Sequence, residues 1–194
     1  DDAGNAYAIG GFGHDGEVAR TWTDGYRYDM ETRTWSDDGP DLPVARSQFG
    51  LVEHDGRMWV FGGLDYDPKR ADGDQFRHLT EVVVADPGSD FTSEGIHLPE
   101  PRRAFAGAKL GERYYMIGGM KEDFQLVEND RFFDFETQSF QEIPSPSRPR
   151  LSAELVALGD RLFLAGGSSP RAGGSGLESN PSIECFDPST GTWT

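Results

Sequence analysis

Short apolar runs recur along the chain, and each ends in two consecutive glycines. The runs read AYAIGG, MWVFGG, YYMIGG and LFLAGG, and their glycine pairs lie at residues 10–11, 62–63, 118–119 and 166–167. Runs this short, rich in aromatic and branched side chains and bounded by turn residues, are typical of buried strands. Because the pairs are spaced 52, 56 and 48 residues apart, the pattern predicts four copies of one structural unit.

Two further elements accompany the glycine pairs in a constant order. An arginine opens a small-and-apolar strand that turns tightly through DG, GE or GD into the glycine-terminated strand; these arginines are Arg46, Arg103 and Arg150. After a variable polar stretch come an aspartate and an aromatic residue, as in YDMETRTW, FDFETQSF and FDPSTGTW. The second unit, with ADPGSDF, is the most divergent. Such turns favour hairpins, so each unit is predicted to contain four short antiparallel strands.

The order of arginine, hairpin, double glycine, aspartate and aromatic residue resembles the Kelch repeat over essentially the whole chain. This resemblance implies an all-β, Kelch-type β-propeller of about four blades with four antiparallel strands each. The approximate blades are residues 1–42, 43–99, 100–147 and 148–194, of which the first and the last are partial. The glycines would let neighbouring blades approach closely and would free the backbone angles at the strand exit.

The register of the repeats suggests an incomplete ring. The chain begins inside a second strand and ends as a fourth begins, whereas Kelch rings resemble propellers of about six or seven blades. We therefore expect about half of a larger propeller, whose remaining blades come from another part of the chain or from self-association. A closed ring of four blades and an assembly of two half-rings are the alternatives.

Charge and composition narrow the classes of partner. The chain has 34 Asp plus Glu against 18 Lys plus Arg, a formal net charge of −16, which repels nucleic acid and anionic lipid. No apolar run approaches the roughly 20 residues of a membrane helix, so neither nucleic acid nor membrane is an expected partner. The single cysteine, Cys185, excludes an internal disulfide, and the alternation of IECFD predicts it as a small core residue.

Strand polarity assigns the tight turns to one face of the predicted blades and the long loops between second and third strands to the other. The long loops span residues 12–24, 64–80, 120–130 and 168–181. Their sequences differ, and long loops on a rigid scaffold often carry function, so we expect one asymmetric site on this long-loop face. Trp22, Tyr66 and Phe76 are the candidate ligand-binding aromatic residues in these loops.

The repeated arginines are the second group of candidate site residues. Arg46, Arg103 and Arg150 open successive innermost strands, so they are expected in an arc at the channel mouth, with Arg102 and Arg148 beside them. Their guanidinium groups could bind a carboxylate or sulfate of an anionic ligand. Alternatively, each arginine braces its own blade by donating hydrogen bonds to backbone carbonyls. Both interpretations remain open at the level of sequence.

These features favour a non-catalytic binding module for a protein, a glycan or a small anionic ligand. The four histidines are scattered without metal-ligand spacing, so no catalytic residue, metal or cofactor is assigned. A Ca²⁺ site among Asp65, Asp67, Asp72 and Asp74 is a weaker alternative, because Lys69 and Arg70 interrupt the run.

An alternative function comes from the resemblance itself. Sialic-acid mutarotases are Kelch propellers, and a similar enzyme would need a carboxylate near an arginine at the channel mouth. Glu53, Glu81 and Glu154 are the carboxylates available for that role.

Overall fold

The computed structural model describes residues 4–173 and 175–194, and these residues are built almost entirely from short antiparallel strands. Residues 1–3 of the predicted first blade and Gly174 of the predicted loop 168–181 lie outside the described residues. Within the described ranges the only helical element is a single 3-10 turn, Glu122–Phe124. None of the described residues belongs to a helix long and apolar enough to cross a membrane. The predicted all-β class is confirmed.

The chain forms two compact units, Asp1–Leu98 and Pro99–Thr194. The first unit contains β1 (Ala6–Ile9), β2 (Phe12–Asp15), β3 (Val18–Thr21), β4 (Gly25–Asp29), β5 (Thr34–Ser36), β6 (Gly50–His54), β7 (Arg57–Phe61), β8 (Leu64–Tyr66), β9 (Phe76–His78), β10 (Glu81–Ala85) and β11 (Thr92–His97). A three-stranded sheet has the order β1-β4-β5, and a four-stranded sheet has the order β6-β7-β10-β11. Two separate hairpins, β2–β3 and β8–β9, complete this unit.

The second unit repeats the same scheme. It contains β12 (Ala106–Leu110), β13 (Arg113–Ile117), β14 (Arg131–Asp134), β15 (Ser139–Glu142), β16 (Glu154–Leu158), β17 (Arg161–Ala165), β18 (Ser168–Pro170), β19 (Leu177–Ser179), β20 (Ile183–Asp187) and β21 (Thr192–Trp193). Its four-stranded sheets have the orders β12-β13-β14-β15 and β16-β17-β20-β21, with β18–β19 as a separate hairpin. These sheets have the antiparallel four-stranded form that the repeat predicted.

The long loops are more ordered than the sequence suggested. Three of the four predicted loops fold back as hairpins of their own, namely β2–β3, β8–β9 and β18–β19. The remaining loop contains the 3-10 turn. The hydrophobic pattern did not predict these hairpins, because their strands are only three or four residues long and mostly polar.

The four glycine pairs share one backbone conformation, as their equivalence in the repeat predicts. The first glycine of each pair has φ between 56° and 67°, and the second has φ between 88° and 109°. Residues that carry a Cβ are strained in this left-handed region, whereas glycine is not. At Gly118 a Cβ would also lie 2.0 Å from the carbonyl oxygen of Arg150, the arginine of the next repeat. Glycine is therefore required here both by conformation and by close backbone approach.

Each unit has its own apolar core. In the first unit the core contains Ile9, Leu42, Val60, Val83, Ala85 and Phe91. In the second unit it contains Ala106, Tyr115, Ile117, Phe132, Leu155, Leu162, Leu164 and Phe186. Most members of the second core alternate along β13, β14, β16 and β17, because every other side chain of a strand faces the same side.

The repeated aspartates stabilise the turn between the third and fourth strands. Asp29 accepts the backbone N–H groups of Glu31 and Thr32 at 2.8 Å each. Asp134 accepts the N–H of Thr137 at 3.0 Å, and Asp187 accepts that of Ser189 at 2.9 Å. The hydrogen bonds favour the ionised carboxylates and lower the pKa of all three aspartates.

Candidate functional site

Buried arginines connect the strands within three of the four sheets. Arg46 NH1 donates hydrogen bonds to the carbonyl oxygens of Gly62 at 3.3 Å and Glu81 at 3.2 Å. Arg150 NH1 makes the equivalent pair of bonds to Gly166 and Ser182, both at 3.3 Å. Each arginine thereby ties the end of its second strand to the start of its third strand.

In the third repeat Arg102 holds this position, and the prediction that Arg103 does so was wrong by one residue. Arg102 NH1 donates to the carbonyl oxygen of Met116 at 2.9 Å, and its NH2 donates to that of Asn129. The bridges Ser47↔Leu64, Arg103↔Met120 and Leu151↔Ser168 align Arg103 with the residues that follow Arg46 and Arg150. Either arginine of the Arg-Arg pair fits the repeat pattern, and a shift of one residue exchanges the two faces of a strand.

Arg103 and Arg148 have other surroundings. Arg103 NH2 lies 2.9 Å from the Sδ atom of Met120, and its guanidinium carbon lies 5.3 Å from the centre of the Phe124 ring. Arg148 is half-buried and donates from NH2 to the carbonyl oxygen of Pro170 at 2.6 Å and to Glu178 Oε1 at 2.7 Å.

The electrostatic partners of the three bracing arginines differ. Arg150 NH2 donates to Glu184 Oε1, and Arg102 NH1 lies 3.6 Å from Asp130 Oδ1. Arg46 forms no ion pair among the described residues, and its buried Nε and NH2 atoms have no hydrogen-bond partner there. Burial lowers the pKa of Arg46 and of Arg102 to about 10.

This geometry supports the bracing interpretation for Arg46, Arg102 and Arg150. All three side chains are fully buried, with at most 1% of their surface exposed. Their guanidinium groups are held against backbone carbonyls, which would otherwise be buried without a donor. An anion arriving from solvent therefore cannot reach these three groups without first opening the blade.

A row of four neighbouring rings lies on the long-loop side of the first unit. We call His14, Phe12, Tyr66 and Phe76 the aromatic row. Successive ring centres are 6.4, 6.0 and 4.7 Å apart in that order. Phe12 and Phe76 are 59% and 48% exposed, so this apolar surface faces solvent. The row brings together two predicted site residues, Tyr66 and Phe76, with two residues that were not predicted.

A buried polar contact holds the two halves of the row together. Thr21 Oγ1 lies 3.1 Å from both Asp65 Oδ1 and the carbonyl oxygen of Tyr66, two acceptors that share its single proton. The same hydroxyl accepts the N–H of Tyr66 at 2.9 Å, and Asp65 accepts a hydrogen bond from Arg70. Because the Thr21 hydroxyl and the Asp65 carboxylate are buried and hydrogen-bonded to each other, the hairpins β2–β3 and β8–β9 present one continuous surface.

Trp22, the third predicted aromatic residue, lies apart from this row. A Cβ on Gly13 would be 2.9 Å from Trp22 Nε1, so the indole covers the face of β2 opposite to Phe12 and His14. The Arg20 guanidinium carbon lies 4.7 Å from the centre of the indole ring on that side. The structure therefore separates Trp22 from Tyr66 and Phe76.

The aspartates of loop 64–80 are used within the loop. Arg70 pairs with Asp65 and Arg77 with Asp74. Asp67 and Asp72 accept hydrogen bonds from the N–H of Lys69 and the amide of Gln75. Across the described part of the chain, no group of three or more His, Cys, Asp or Glu side chains could hold a metal ion.

The carboxylates considered for a mutarotase-like site are dispersed. Glu53 Oε1 accepts the N–H of Gly56 in its own turn at 2.7 Å. Glu154 is exposed on β16, and Glu81 is half-buried at the start of β10. Among the described residues none of the three forms an ion pair with an arginine.

Comparisons with known proteins agree with this architecture. A model of the Kelch motif matches residues 149–194. Kelch-like protein 25 of Xenopus tropicalis is 26% identical over 167 residues, which cover 86% of this chain and 26% of that protein. Beta-scruin of Limulus polyphemus is 25% identical over 199 residues, which cover 97% of this chain and 20% of that protein. The Rab9 effector protein with kelch motifs of Bos taurus is 25% identical over 181 residues, which cover 86% of this chain and 44% of that protein.

The fold is also found among solved structures. The structure entitled "Structure of YjhT" superposes with a TM-score of 0.80 at 18% identity, over 98% of this chain and 67% of that chain. The fold is therefore that of a Kelch-type β-propeller. Residues 149–194 match the Kelch motif, and the chain as a whole is similar to Kelch-repeat proteins. It spans less than half the length of the three curated relatives named above. Kelch repeats generally mediate protein interactions, and a binding module is consistent with that role.

Proposed function

We propose that this chain is a non-catalytic protein-binding module whose partner lies across the aromatic row of the long-loop face. The observation that carries this proposal is the contact between four rings from two hairpins, of which Phe12 and Phe76 are about half exposed. Large exposed apolar side chains in contact with one another are uncommon on a surface without a partner.

The chemistry of the row suits protein recognition. Aromatic residues supply much of the binding free energy at protein interfaces, because they bury a large area at a low cost in side-chain entropy. The hydroxyl of Thr21 and the carboxylate of Asp65 connect the hairpins before any partner arrives, so little ordering is needed on binding. Full burial of each exposed phenylalanine would contribute about 1–2 kcal/mol.

Binding of an anion or a sulfated glycan by the repeated arginines is not part of this proposal. The guanidinium groups of Arg46, Arg102 and Arg150 are buried and bonded to backbone carbonyls. The more exposed Arg148 already pairs with Glu178. A partner would have to displace these bonds before it could use the arginines.

Selection from a random peptide library displayed on phage tests the proposal. We expect peptides that bind the immobilised chain with micromolar affinity and that lose at least about tenfold in affinity, roughly 1.4 kcal/mol, to the double variant Phe12→Ala/Phe76→Ala. The matched control is Trp35→Ala, because Trp35 is 57% exposed in the same unit but lies outside the row. Thermal melting of each variant establishes that it is folded.

Two outcomes would contradict the proposal. One is a failure to enrich any peptide that binds the folded chain. The other is a set of peptides that bind the double variant as tightly as the unaltered chain, which would place the site elsewhere.

A further inference from the structure

We infer that the aromatic row selects a basic partner, namely an extended peptide segment in which Arg or Lys alternates with apolar residues. This inference rests on the proposed function, since it names the chemistry of the partner at the same site. Three independent features support it: the charge of the unit, the state of the charged groups beside the row and the spacing of the rings.

The negative charge is concentrated in the unit that carries the row. Residues 1–98 contain 20 of the 34 acidic residues but only 8 of the 18 basic ones, a formal net charge of −12. Residues 99–194 contain the remaining 14 acidic and 10 basic residues, a net charge of −4. The field around the row therefore attracts cationic segments and repels acidic ones.

The charged groups beside the row are also negative in sum, because residues 12–21 and 64–78 contain six acidic side chains and four basic ones, Lys69 included. All three arginines of the two hairpins and of the connection within β8–β9 form ion pairs: Arg20 with Asp15 at 3.8 Å, Arg77 with Asp74 at 2.9 Å, and Arg70 with Asp65.

The ion pairs of these segments use Asp15, Asp65 and Asp74. The other three acidic residues there form none among the described residues: Glu17, Asp67 and Asp72. Glu17 lies in the turn beyond His14, at one end of the row. Asp67 directly follows Tyr66, and its N–H bonds to the carbonyl of Gln75, beside Phe76 at the other end. Acidic side chains without an ion-pair partner therefore lie at both ends of the row, and Lys69 is the basic side chain of the described segments that is likewise outside an ion pair.

The spacing of the rings suits an extended chain. Side chains on one face of an extended peptide are about 6.6 Å apart, and the first two ring separations of the row are 6.4 and 6.0 Å. The row is no longer than about 17 Å, which corresponds to about five residues. Alternate side chains of such a peptide can lie on successive rings, where guanidinium or ammonium groups are attracted to the π faces.

The inference can be tested with three short synthetic peptides in which Leu alternates with Arg, with Ser or with Glu. We expect the Arg–Leu peptide to bind the full chain at least about tenfold more tightly than the Ser–Leu peptide, and the Glu–Leu peptide to bind more weakly still. Affinities are measured by fluorescence anisotropy at about physiological salt, where general charge effects are partly screened.

Paired variants separate the row from the general charge of the unit. Phe12→Ala/Phe76→Ala, which leaves the charge unchanged, should lose most of the preference for the Arg–Leu peptide. Glu17→Gln/Asp67→Asn removes one negative charge at each end of the row and should lower its affinity several-fold. The matched control is Glu31→Gln/Asp55→Asn, which removes the same charge in tight turns outside the row.

Different results contradict the inference and the proposed function. Equal binding of all three peptides through the row, or tighter binding of the Glu–Leu peptide, would overturn the inference that the partner is basic. The row would then remain a protein-binding site. Binding of the Arg–Leu peptide that is unchanged in Phe12→Ala/Phe76→Ala would show attraction by the unit as a whole and would overturn the inference. If library peptides also ignored the row, the proposed function itself would be wrong.

Discussion

Replacement of the bracing arginines by methionine should have unequal effects on stability. Methionine keeps much of the aliphatic volume but removes the guanidinium group, so the comparison isolates the polar interactions. We expect Arg150→Met to destabilise the chain far more than Arg46→Met, although both arginines occupy equivalent positions and donate to equivalent carbonyls.

The difference follows from the buried carboxylate beside Arg150. Arg150 bonds to Glu184, whose other carboxylate oxygen accepts the N–H of Ser147 at 2.8 Å. Without Arg150 the buried Glu184 carboxylate loses its positive partner, and the loss of one member of a buried pair costs about 3–5 kcal/mol.

Arg46 has no carboxylate partner, so its removal has two opposed effects. The loss of its hydrogen bonds to the carbonyl oxygens of Gly62 and Glu81 costs about 1 kcal/mol each, and somewhat more if no water replaces the guanidinium group as donor. However, burial lowers the pKa of Arg46 to about 10, and this decrease corresponds to roughly 3 kcal/mol of unfavourable burial of the charged form. The free energy of unfolding should therefore change by less than about 2 kcal/mol.

Urea unfolding followed by circular dichroism measures both variants against the unaltered chain. The double variant Arg150→Met/Glu184→Gln should recover part of the loss, because it removes the unpaired charge. If Arg46→Met and Arg150→Met lost equal stability, or if Glu184→Gln gave no recovery, the bonds to carbonyls alone would account for the arginines and the role assigned to Glu184 would be refuted.

The glycine pairs and the turn aspartates lead to two further predictions. Gly118→Ala should lower the free energy of unfolding by more than about 3 kcal/mol, and Gly166→Ala by only about 1–2 kcal/mol. Both glycines have φ near 65°, but only a Cβ at Gly118 meets the Arg150 carbonyl oxygen. Equal losses of stability in urea unfolding would contradict this close approach. The hydrogen bond from Thr137 lowers the pKa of Asp134 in the folded state. The ionised Asp134 carboxylate therefore stabilises the fold above the unfolded-state pKa, and this stabilisation is lost as the pH falls through the folded-state pKa. Carbon-13 NMR titration of the Asp134 carboxyl group in the folded chain and in urea checks this order, and identical pKa values would refute it.

Most of the fold could be predicted from sequence because its signals are local. The apolar strands, the tight turns and the left-handed glycines are each determined by a few neighbouring residues, and their repetition identified the sheets. The hairpins within the long loops could not be found in this way. Strands such as FGHD and VART are short and mixed in character, and their pairing depends on contacts made outside the repeat pattern.

Sequence by itself determined the class of fold, the repeat and the kinds of residue that could form a site. Tertiary structure decided which of two adjacent arginines, Arg102 or Arg103, donates to the backbone carbonyls of its sheet, since a shift of one residue turns a side chain to the opposite face of the strand. It also decided that Trp22 lies apart from Tyr66 and that Phe12 takes its place in the aromatic row. The physical reason is that the row is formed by two hairpins joined through Thr21 and Asp65, which lie 44 residues apart in the chain, and no local pattern specifies such a contact.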